Sequence, residues 1–281
     1  MRALSIQSHV AYGHVGNSAA VFPLQRLGHE VWPVLTVNYS NHTGYGEWGG
    51  PIIAADDVRA VLAGVEARGA FQRCDAVITG YQGSPEIAEV IVEAVRRVKA
   101  ANPTATYTCD PVMGNAKSGC FVNPAIPPVI REQVIPVADI ITPNQFELGF
   151  LTETTPSTLP EILASADIAR ALGPSTVLVT SVEAVPQGSI GMLAVNHEGA
   201  WLVQTPLLPM KANGSGDLTA ALFTAHLHET GSPSEALART ASSVFAVLQA
   251  TLDSGERELR LIAAQDQIAH PAREFDVTRV R

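Results

Sequence analysis

The sequence predicts an α/β fold, with a mostly parallel central sheet between two layers of helices and an antiparallel hairpin at one edge. Short apolar segments alternate with segments of helical periodicity along most of the chain, which is the pattern of parallel strands joined by helices. In the last third, two apolar segments flank residues 196–199, and that spacing favours a hairpin. Mostly parallel sheets often carry such an antiparallel edge.

The predicted strands are short and rich in aliphatic residues. Pro33, inside the second strand, predicts that this strand lies at an edge of the sheet or carries a bulge, because proline has no N–H to donate to a neighbouring strand. The predicted strands cover residues 3–6, 31–37, 76–80, 106–109, 139–142, 176–179, 191–195 and 200–203.

Helices are predicted where apolar residues recur every three or four positions. The Thr- and Pro-rich segment 152–160 is predicted to be a loop, as is segment 114–119. No internal repeat or Gly/Ser linker interrupts the pattern, so we predict a single domain over residues 1–281. The predicted helices cover residues 85–98, 161–172, 218–229, 233–252 and 256–269.

Composition excludes several classes of function. The chain is 46% hydrophobic, which is sufficient for a large core, and its formal net charge of −9 without a basic cluster argues against nucleic acid as a partner. It has neither an apolar run long enough for a membrane span nor a signal peptide pattern. Three cysteines without a CxxC pair predict reduced thiols and a cytoplasmic protein.

A short turn at residues 213–217 (NGSGD) precedes an apolar helical pattern that begins at Leu218. Free backbone N–H groups and the positive end of the helix dipole meet at such a helix start, and together they bind anions such as phosphate. Asp217 would place a proton acceptor beside that phosphate. The same residues are also good helix starters, so the turn alone leaves phosphate chemistry and a purely structural turn both open.

Polar residues follow several of the predicted strands, at the edge where ligands bind in parallel sheets. Among them, Asp110 and Glu147 each follow a strand and are expected to converge at one end of the sheet, and carboxylates together with phosphates are the usual way to hold Mg²⁺. The set comprises Gln7, Ser8, His9, Asn38, Ser40, Asn41, His42, Thr43, Tyr81, Asp110, Thr142, Asn144 and Glu147.

Several familiar motifs are missing. The chain has no GxxxxGK[ST] loop, no GxGxxG, no GxSxG and no HExxH, which argues against a P-loop kinase, a dinucleotide-binding fold, an α/β-hydrolase and a histidine-based metal site. His226 and His228, near a predicted helix end, are expected to be solvated.

Eight short segments resemble pyridoxal kinases, the vitamin B6 branch of the ribokinase superfamily. The GSGD turn indicates the superfamily, whereas SNHTGY and SIQSHV are more specific to the B6 branch. The resemblance runs from about residue 3 to the C-terminal tail, and it implies a ribokinase-like α/β/α fold. The segments are 5–10 (SIQSHV), 16–17 (GN), 22–25 (FPLQ), 40–45 (SNHTGY), 79–81 (TGY), 109–114 (CDPVMG), 142–147 (TPNQFE) and 214–217 (GSGD).

The resemblance implies transfer of the ATP γ-phosphate to the 5′-hydroxymethyl group of pyridoxal, with Mg²⁺ and a monovalent ion such as K⁺, in a homodimer. Asp217 would be the base, and the amides of Gly214, Ser215 and Gly216 would hold the transferring phosphate. Ser8, Val10, His42, Thr43, Gly44 and Tyr81 would line the pyridoxal pocket. Asp110, Thr142, Asn144, Glu147, Thr180, Thr205, Pro206, Leu207 and Leu208 would face ATP, with Asp110 and Glu147 holding Mg²⁺ partly through water.

Three departures from the family concern the nucleotide side. Some bacterial relatives have Lys where Thr180 stands, some have Tyr at the position of Phe121, and the stretch 209–213, with Lys211, is short. The nearest rival function is a hydroxymethylpyrimidine kinase, although bifunctional relatives carry Cys where this chain has Asp217. A sugar or nucleoside kinase and a non-catalytic B6-vitamer carrier are the further alternatives.

Overall fold

The alternation of strands and helices builds a nine-stranded sheet in the computed structural model, which describes residues 1–281. Two further short strands, β5 (Gly114–Asn115) and β6 (Gly119–Cys120), pair as a separate hairpin. The sheet contains β1 (Arg2–Val10), β2 (Glu30–Tyr39), β3 (Ala76–Thr79), β4 (Thr106–Cys109), β7 (Ile140–Ile141), β8 (Thr176–Val182), β9 (Ser189–Val195), β10 (Ala200–Pro206) and β11 (Val277–Arg279).

The strand order is β2-β1-β3-β4-β7-β8-β9-β10-β11, and the six strands from β2 to β8 are parallel. Strands β9, β10 and β11 pair antiparallel, which confirms the predicted hairpin. Because β9 reverses the direction and β10 reverses it again, β10 runs the same way as β8. The end of β10 therefore reaches the same edge of the sheet as the ends of the parallel strands.

Helices cover both faces of this sheet. The longest are α3, α7 and α8, and a π-helical turn at Ile130–Val134 and a 3₁₀ turn at Ile135–Val137 follow α4. The helices are α1 (Asn17–Arg26), α2 (Ala55–Glu66), α3 (Glu86–Ala101), α4 (Ile126–Val129), α5 (Gln145–Thr152), α6 (Leu159–Ala171), α7 (Ser215–Thr230), α8 (Pro233–Ser254) and α9 (Gln265–Ala269).

Alternation along the strands divides the core between the two faces. Val77 packs in the core formed with α2, α3, α5 and α6, whereas its neighbour Ile78 packs against α1 and α7 on the other face. Ile141 and Ile140 divide in the same way. Successive strand residues point to opposite faces, so these apolar strands bury both sides, and the result is the three-layer arrangement that the sequence predicts.

The structure shows which strands form the two edges of the sheet. Pro33 lies in β2, which is an edge strand, as its missing N–H predicts. At the other edge, β11 pairs with β10 and lies outside the predicted hairpin. The sequence analysis missed β11, because three residues with only Val277 partly buried carry too little apolar pattern.

The prediction of a helix over 256–269 is wrong for most of its length. Gly255, with φ of 69°, ends α8, and the chain is irregular or turned until α9 begins at Gln265. Leu259 and Leu261 are both buried although they are two positions apart, a spacing that a helix cannot bury on one face. Only the last five residues of the predicted helix, which form α9, are helical.

Two smaller expectations also fail. Segment 114–119 forms the β5–β6 hairpin rather than an irregular loop. His226 is buried in α7, 5% exposed, whereas His228 is exposed as expected. The buried part of α7 extends as far as His226, whose Nδ1 lies 3.6 Å from Glu229 Oε2, whereas His228 lies beyond it in the exposed last turn.

The three cysteines are free thiols, as the sequence predicts, with Cys74 and Cys109 buried and Cys120 exposed. No helix of the structure combines the length with the apolar character needed to cross a membrane.

Candidate active site

The glycine turn forms the N-terminus of α7 at the edge of the sheet where the parallel strands end. Gly214 is the N-cap residue, with φ of 84°, and no side chain caps this end of the helix. By contrast, Ser232 caps α8 and Asn144 caps α5. The first N–H groups of a helix lack intrahelical partners, so the amides that begin α7 are free for an anion.

The turn lies against the chain segment that follows β1. A Cβ added to Gly214 would be 1.8 Å from the His14 carbonyl oxygen, so only glycine fits here. Leu259 also approaches this position, at 3.3 Å through Cδ1. The glycine turn is therefore held by two segments that are distant in sequence.

Asp217 lies in the first turn of α7, beside the end of β3. Its Oδ1 is 3.4 Å from the position that a Cβ on Gly80 would take, and Gln7 Oε1 is 2.6 Å from the same position. Asp110 approaches from the end of β4, with Oδ2 3.6 Å from an added Cβ on Gly216. The structure thus brings Asp217 and Asp110 to the same glycine turn.

Burial and mutual repulsion change the acidity of three carboxyl groups here. Burial raises the pKa of Asp110 well above its usual range, and Glu147 and Asp217 raise that pKa further. Burial also raises the pKa of Glu147 to about 7 and that of Asp217 to about 6. No Lys or Arg lowers the pKa of any of the three, so their negative charges lack a protein cation.

These carboxylates fit a divalent cation. Asp110 and Glu147 are 6% and 4% exposed, Glu147 raises the pKa of Asp110, and hard cations prefer carboxylate oxygens. The protein alone supplies no cluster of three or more His, Cys, Asp or Glu that could hold a metal. A divalent cation at Asp110 and Glu147 would therefore need waters or substrate phosphates as its remaining ligands.

Glu147 also stabilises the backbone around it through hydrogen bonds. Its Oε1 accepts hydrogen bonds from the N–H groups of Met113 at 2.9 Å and Gly114 at 3.3 Å, and its Oε2 accepts from Asn144 N–H at 2.9 Å. Asn144 completes the capping box of α5 through Oδ1 and donates to the Gly114 carbonyl from Nδ2 at 2.8 Å. Both side chains therefore fix the loop after β4, which leaves Asp110 with the freer carboxylate.

The first residues predicted to bind the vitamer, Ser8 and Val10, lie at the end of β1. The β1–β2 register shifts between Gln7 and His9, so Ser8 sits at an irregularity. A Cβ on Gly16 would be 2.2 Å from Ser8 Oγ, so the following turn closes tightly over it. Val10 and Tyr81 share one apolar cluster with Val37 and Tyr39.

The segment that carries His42, Thr43 and Gly44 lies next to the glycine turn. Thr43 begins a 3₁₀ turn that His42 caps, its Nδ1 accepting from the Gly44 N–H at 3.0 Å. A Cβ on Gly44 would be 3.9 Å from Asn213 Nδ2, and Lys211 is close enough to lower the pKa of His42, although burial lowers it more. Two predicted parts of the site, far apart in sequence, therefore lie side by side.

The residues predicted to face ATP lie along the other half of the same edge. Thr142 follows β7, with its hydroxyl toward Asp110, and Thr180 lies in β8, bridged to Asn144. Ser181, with φ of 53°, bends the strand at this point. The last four predicted residues end β10 and lead toward the glycine turn; these are Thr205, Pro206, Leu207 and Leu208.

Sequence reasoning missed the residues that make this edge close-packed. Gly80 follows β3, and its lack of a side chain leaves room for Gln7 and Asp217. The sequence placed Gly80 at the end of a predicted strand and in the family segment 79–81, but neither signal indicates which side chains it makes room for. Glu258 was missed because the sequence placed it within a helix, among other charged residues.

An α/β fold with free helix amides, a neighbouring Asp and further acids at one sheet edge defines a class of protein, the ribokinase-like kinases. A family model described as phosphomethylpyrimidine kinase matches residues 54–261. Pyridoxal kinases PdxY from Leifsonia xyli subsp. xyli and Corynebacterium diphtheriae are 66% and 60% identical to this chain, over 100% of both chains in each case.

Solved structures agree with these sequence relationships. A pyridoxal kinase from Leishmania donovani, in complex with ADP and pyridoxamine, matches with a TM-score of 0.94 at 28% identity, over 100% of this chain and 99% of that chain. One from Entamoeba histolytica matches with a TM-score of 0.92 at 25% identity, over 99% of each. This chain belongs to the pyridoxal kinase family.

Proposed function

We propose that this protein transfers the γ-phosphoryl group of ATP to the 5′-hydroxymethyl group of pyridoxal and so produces pyridoxal 5′-phosphate. The observation that carries the proposal is Asp217, a half-buried carboxylate in the first turn of α7, beside amides that no side chain caps. Full-length identity of 66% to a pyridoxal kinase supports the choice of substrate.

The proposed chemistry needs positioning and charge stabilisation rather than a covalent intermediate. Asp217 takes the proton of the attacking hydroxyl as its oxygen bonds to the γ-phosphorus, while the bond from that phosphorus to the bridging oxygen breaks and ADP leaves. The amides of Gly214, Ser215 and Gly216 bind the oxygens of the transferring phosphoryl group. Asp217, with a pKa of about 6, is ionised near pH 7 and is still basic enough to accept the proton.

Asp110 would hold Mg²⁺ most directly, and Glu147 would support it partly through water; the ion would offset the charge of the ATP phosphates. The vitamer would lie among Ser8, Val10, His42, Thr43, Gly44 and Tyr81. The nucleotide would lie along Thr142, Asn144, Thr180 and the segment from Thr205 to Leu208, and a relative in this family binds ADP. The family resemblance extends the proposal to a K⁺-like ion and a homodimer.

Measuring ATP consumption side by side with pyridoxal, pyridoxine, pyridoxamine and hydroxymethylpyrimidine tests the proposal. We expect turnover with pyridoxal. Faster turnover of hydroxymethylpyrimidine would favour the rival kinase, for which the matching family model is the specific observation. Vitamer binding without any turnover would identify a carrier instead.

Removing the hydroxyl of Ser8 or Thr43 is expected to raise the KM for pyridoxal by about three- to tenfold, because a hydrogen bond contributes about 1 kcal/mol and 1.4 kcal/mol is tenfold in affinity. Ser8→Ala and Thr43→Ala should leave the KM for ATP near that of the wild type. Steady-state kinetics with each substrate varied in turn would measure both.

Thr155→Ala is the matched control, since Thr155 is an exposed hydroxyl in the loop between α5 and α6. It should change neither KM. An unchanged KM for pyridoxal in both site variants would show that the vitamer binds elsewhere.

A further inference from the structure

The segment that follows α8 carries a carboxylate that the proposed reaction does not use. Glu258 Oε1 accepts a hydrogen bond from the Tyr45 hydroxyl at 2.7 Å. Its Oε2 accepts from the backbone N–H of His14 at 3.1 Å. One side chain therefore joins the loop after β1 to the segment that carries His42, Thr43 and Gly44.

The contact with the first of these loops is close. A Cβ added to Gly13, which has φ of 92°, would be 2.1 Å from Glu258 Oε2, so the carboxylate packs directly on the backbone there. The hydrogen bond to Glu258 also raises the pKa of Tyr45 to about 12, as expected when a phenol donates to a carboxylate.

The two neighbours of Glu258 contact the same region. Arg257 donates from Nη2 to the Gly44 carbonyl at 2.9 Å, and its guanidinium carbon lies 3.9 Å from the Tyr45 ring centroid. Leu259 is 1% exposed and packs beside Gly214. Three consecutive residues thus contact three segments: the loop after β1, the Thr43 segment and the glycine turn.

We propose that Glu258 is a positioning residue for the vitamer pocket, which it organises by tying Tyr45 to the backbone of His14. The proposal rests on the proposed function. Ser8 and Val10 lie in β1, which leads into the tied loop, and Thr43 lies two residues before Tyr45, so the two hydrogen bonds limit how far these two parts of the pocket can separate. When the pocket is already ordered before the vitamer binds, less conformational entropy is lost on binding, and the affinity is higher.

The experiment compares wild type, Glu258→Ala, Tyr45→Phe, their double variant and Glu256→Ala. Glu256 is an exposed neighbour whose one ion pair, with Arg260, is 4.0 Å long, which makes it the control. For each protein, KM for pyridoxal, KM for ATP, kcat and Tm are measured. Tyr45→Phe keeps the ring under Arg257 and removes one hydrogen bond alone.

We expect Glu258→Ala to raise the KM for pyridoxal by about tenfold, the effect of losing about 1.4 kcal/mol in charge-assisted hydrogen bonds. The KM for pyridoxal should rise less in Tyr45→Phe. In the double variant it should be no higher than in Glu258→Ala, because both substitutions remove the same contact. In these variants the KM for ATP and kcat should stay near the wild-type values. The Glu256→Ala protein should have wild-type values throughout.

An unchanged KM for pyridoxal in Tyr45→Phe and Glu258→Ala would overturn the proposal. So would a rise in both KM values with equal loss of kcat and Tm, which marks general destabilisation. If Glu258→Ala does not fold, Tyr45→Phe decides alone. Failure of the wild type to phosphorylate pyridoxal would instead refute the proposed function, so the two failures are distinguishable.

Discussion

Replacing Asp217 with Asn is expected to lower kcat by about 10²–10⁴-fold, the usual contribution of a positioned general base. The amide has nearly the same shape as the carboxylate, so it fits the same space beside Gly80, but it cannot take the proton of the attacking hydroxyl. The KM for ATP should change little, because the amides that begin α7 remain in place. Steady-state kinetics of the variant with pyridoxal and Mg-ATP would measure both quantities.

The pH dependence gives an independent readout of the same residue. A raised pKa keeps a carboxyl group protonated up to a higher pH, and a protonated Asp217 cannot act as a base. Wild-type kcat/KM should therefore fall below about pH 6, rather than near pH 4 as for an ordinary Asp. Asp110 and Glu147 titrate in the same group, so the observed midpoint belongs to the three together.

Two results would contradict the role of Asp217 as the base. One is an Asp217→Asn protein with wild-type turnover. The other is a wild-type profile that stays flat down to pH 4.5 while circular dichroism shows the protein folded. Either would move the base to another residue or to the phosphate itself.

Gly214→Ala is expected to lower kcat by about 10²-fold, the effect of moving a reacting group by roughly 1 Å. The new methyl group would meet the His14 carbonyl oxygen at 1.8 Å, so the turn or the loop after β1 must shift. The positive φ of 84° adds about 1 kcal/mol of strain for a residue with a side chain. Kinetics and thermal unfolding would report the two effects separately.

Gly231→Ala separates the strain from the displacement. Gly231, at the C-terminal end of α7, also has a positive φ, of 64°. Unlike at Gly214, no atom lies within 4 Å of an added Cβ. This control should lower the free energy of unfolding by about 1 kcal/mol and leave kcat unchanged. Equal kcat in Gly214→Ala and Gly231→Ala would mean that the position of the glycine turn does not govern catalysis.

Much of the fold was predictable because it depends on local pattern. The predicted helix 218–229 corresponds to α7, and predicted helix 233–252 corresponds to α8. The failures occur where local pattern is weak or shared. Strand β11 has too few apolar residues, and the segment after Gly255 has helix-forming residues whose burial follows tertiary contacts instead.

The candidate site was predictable as a set of residues, not as an arrangement. Asp110 and Asp217 could be named because each stands at a recognisable point, after a strand or at a helix start. Their role in catalysis stays a prediction until variants are measured. Glu147 shows the limit most clearly: its spacing from Asn144 is that of a capping box, but no local pattern indicates that its carboxylate also accepts from the N–H groups of Met113 and Gly114.

The sequence by itself determined the α/β class, the glycine turn before a helix and the family segments, because these depend on periodicity and on residues that are neighbours along the chain. Only the tertiary structure decided that Gly80 leaves room for Asp217, that Asp110 reaches Gly216, and that Glu258 joins Tyr45 to His14. The last contacts span 213 and 244 residues. Such contacts have no local pattern, because packing of the whole chain brings their partners together.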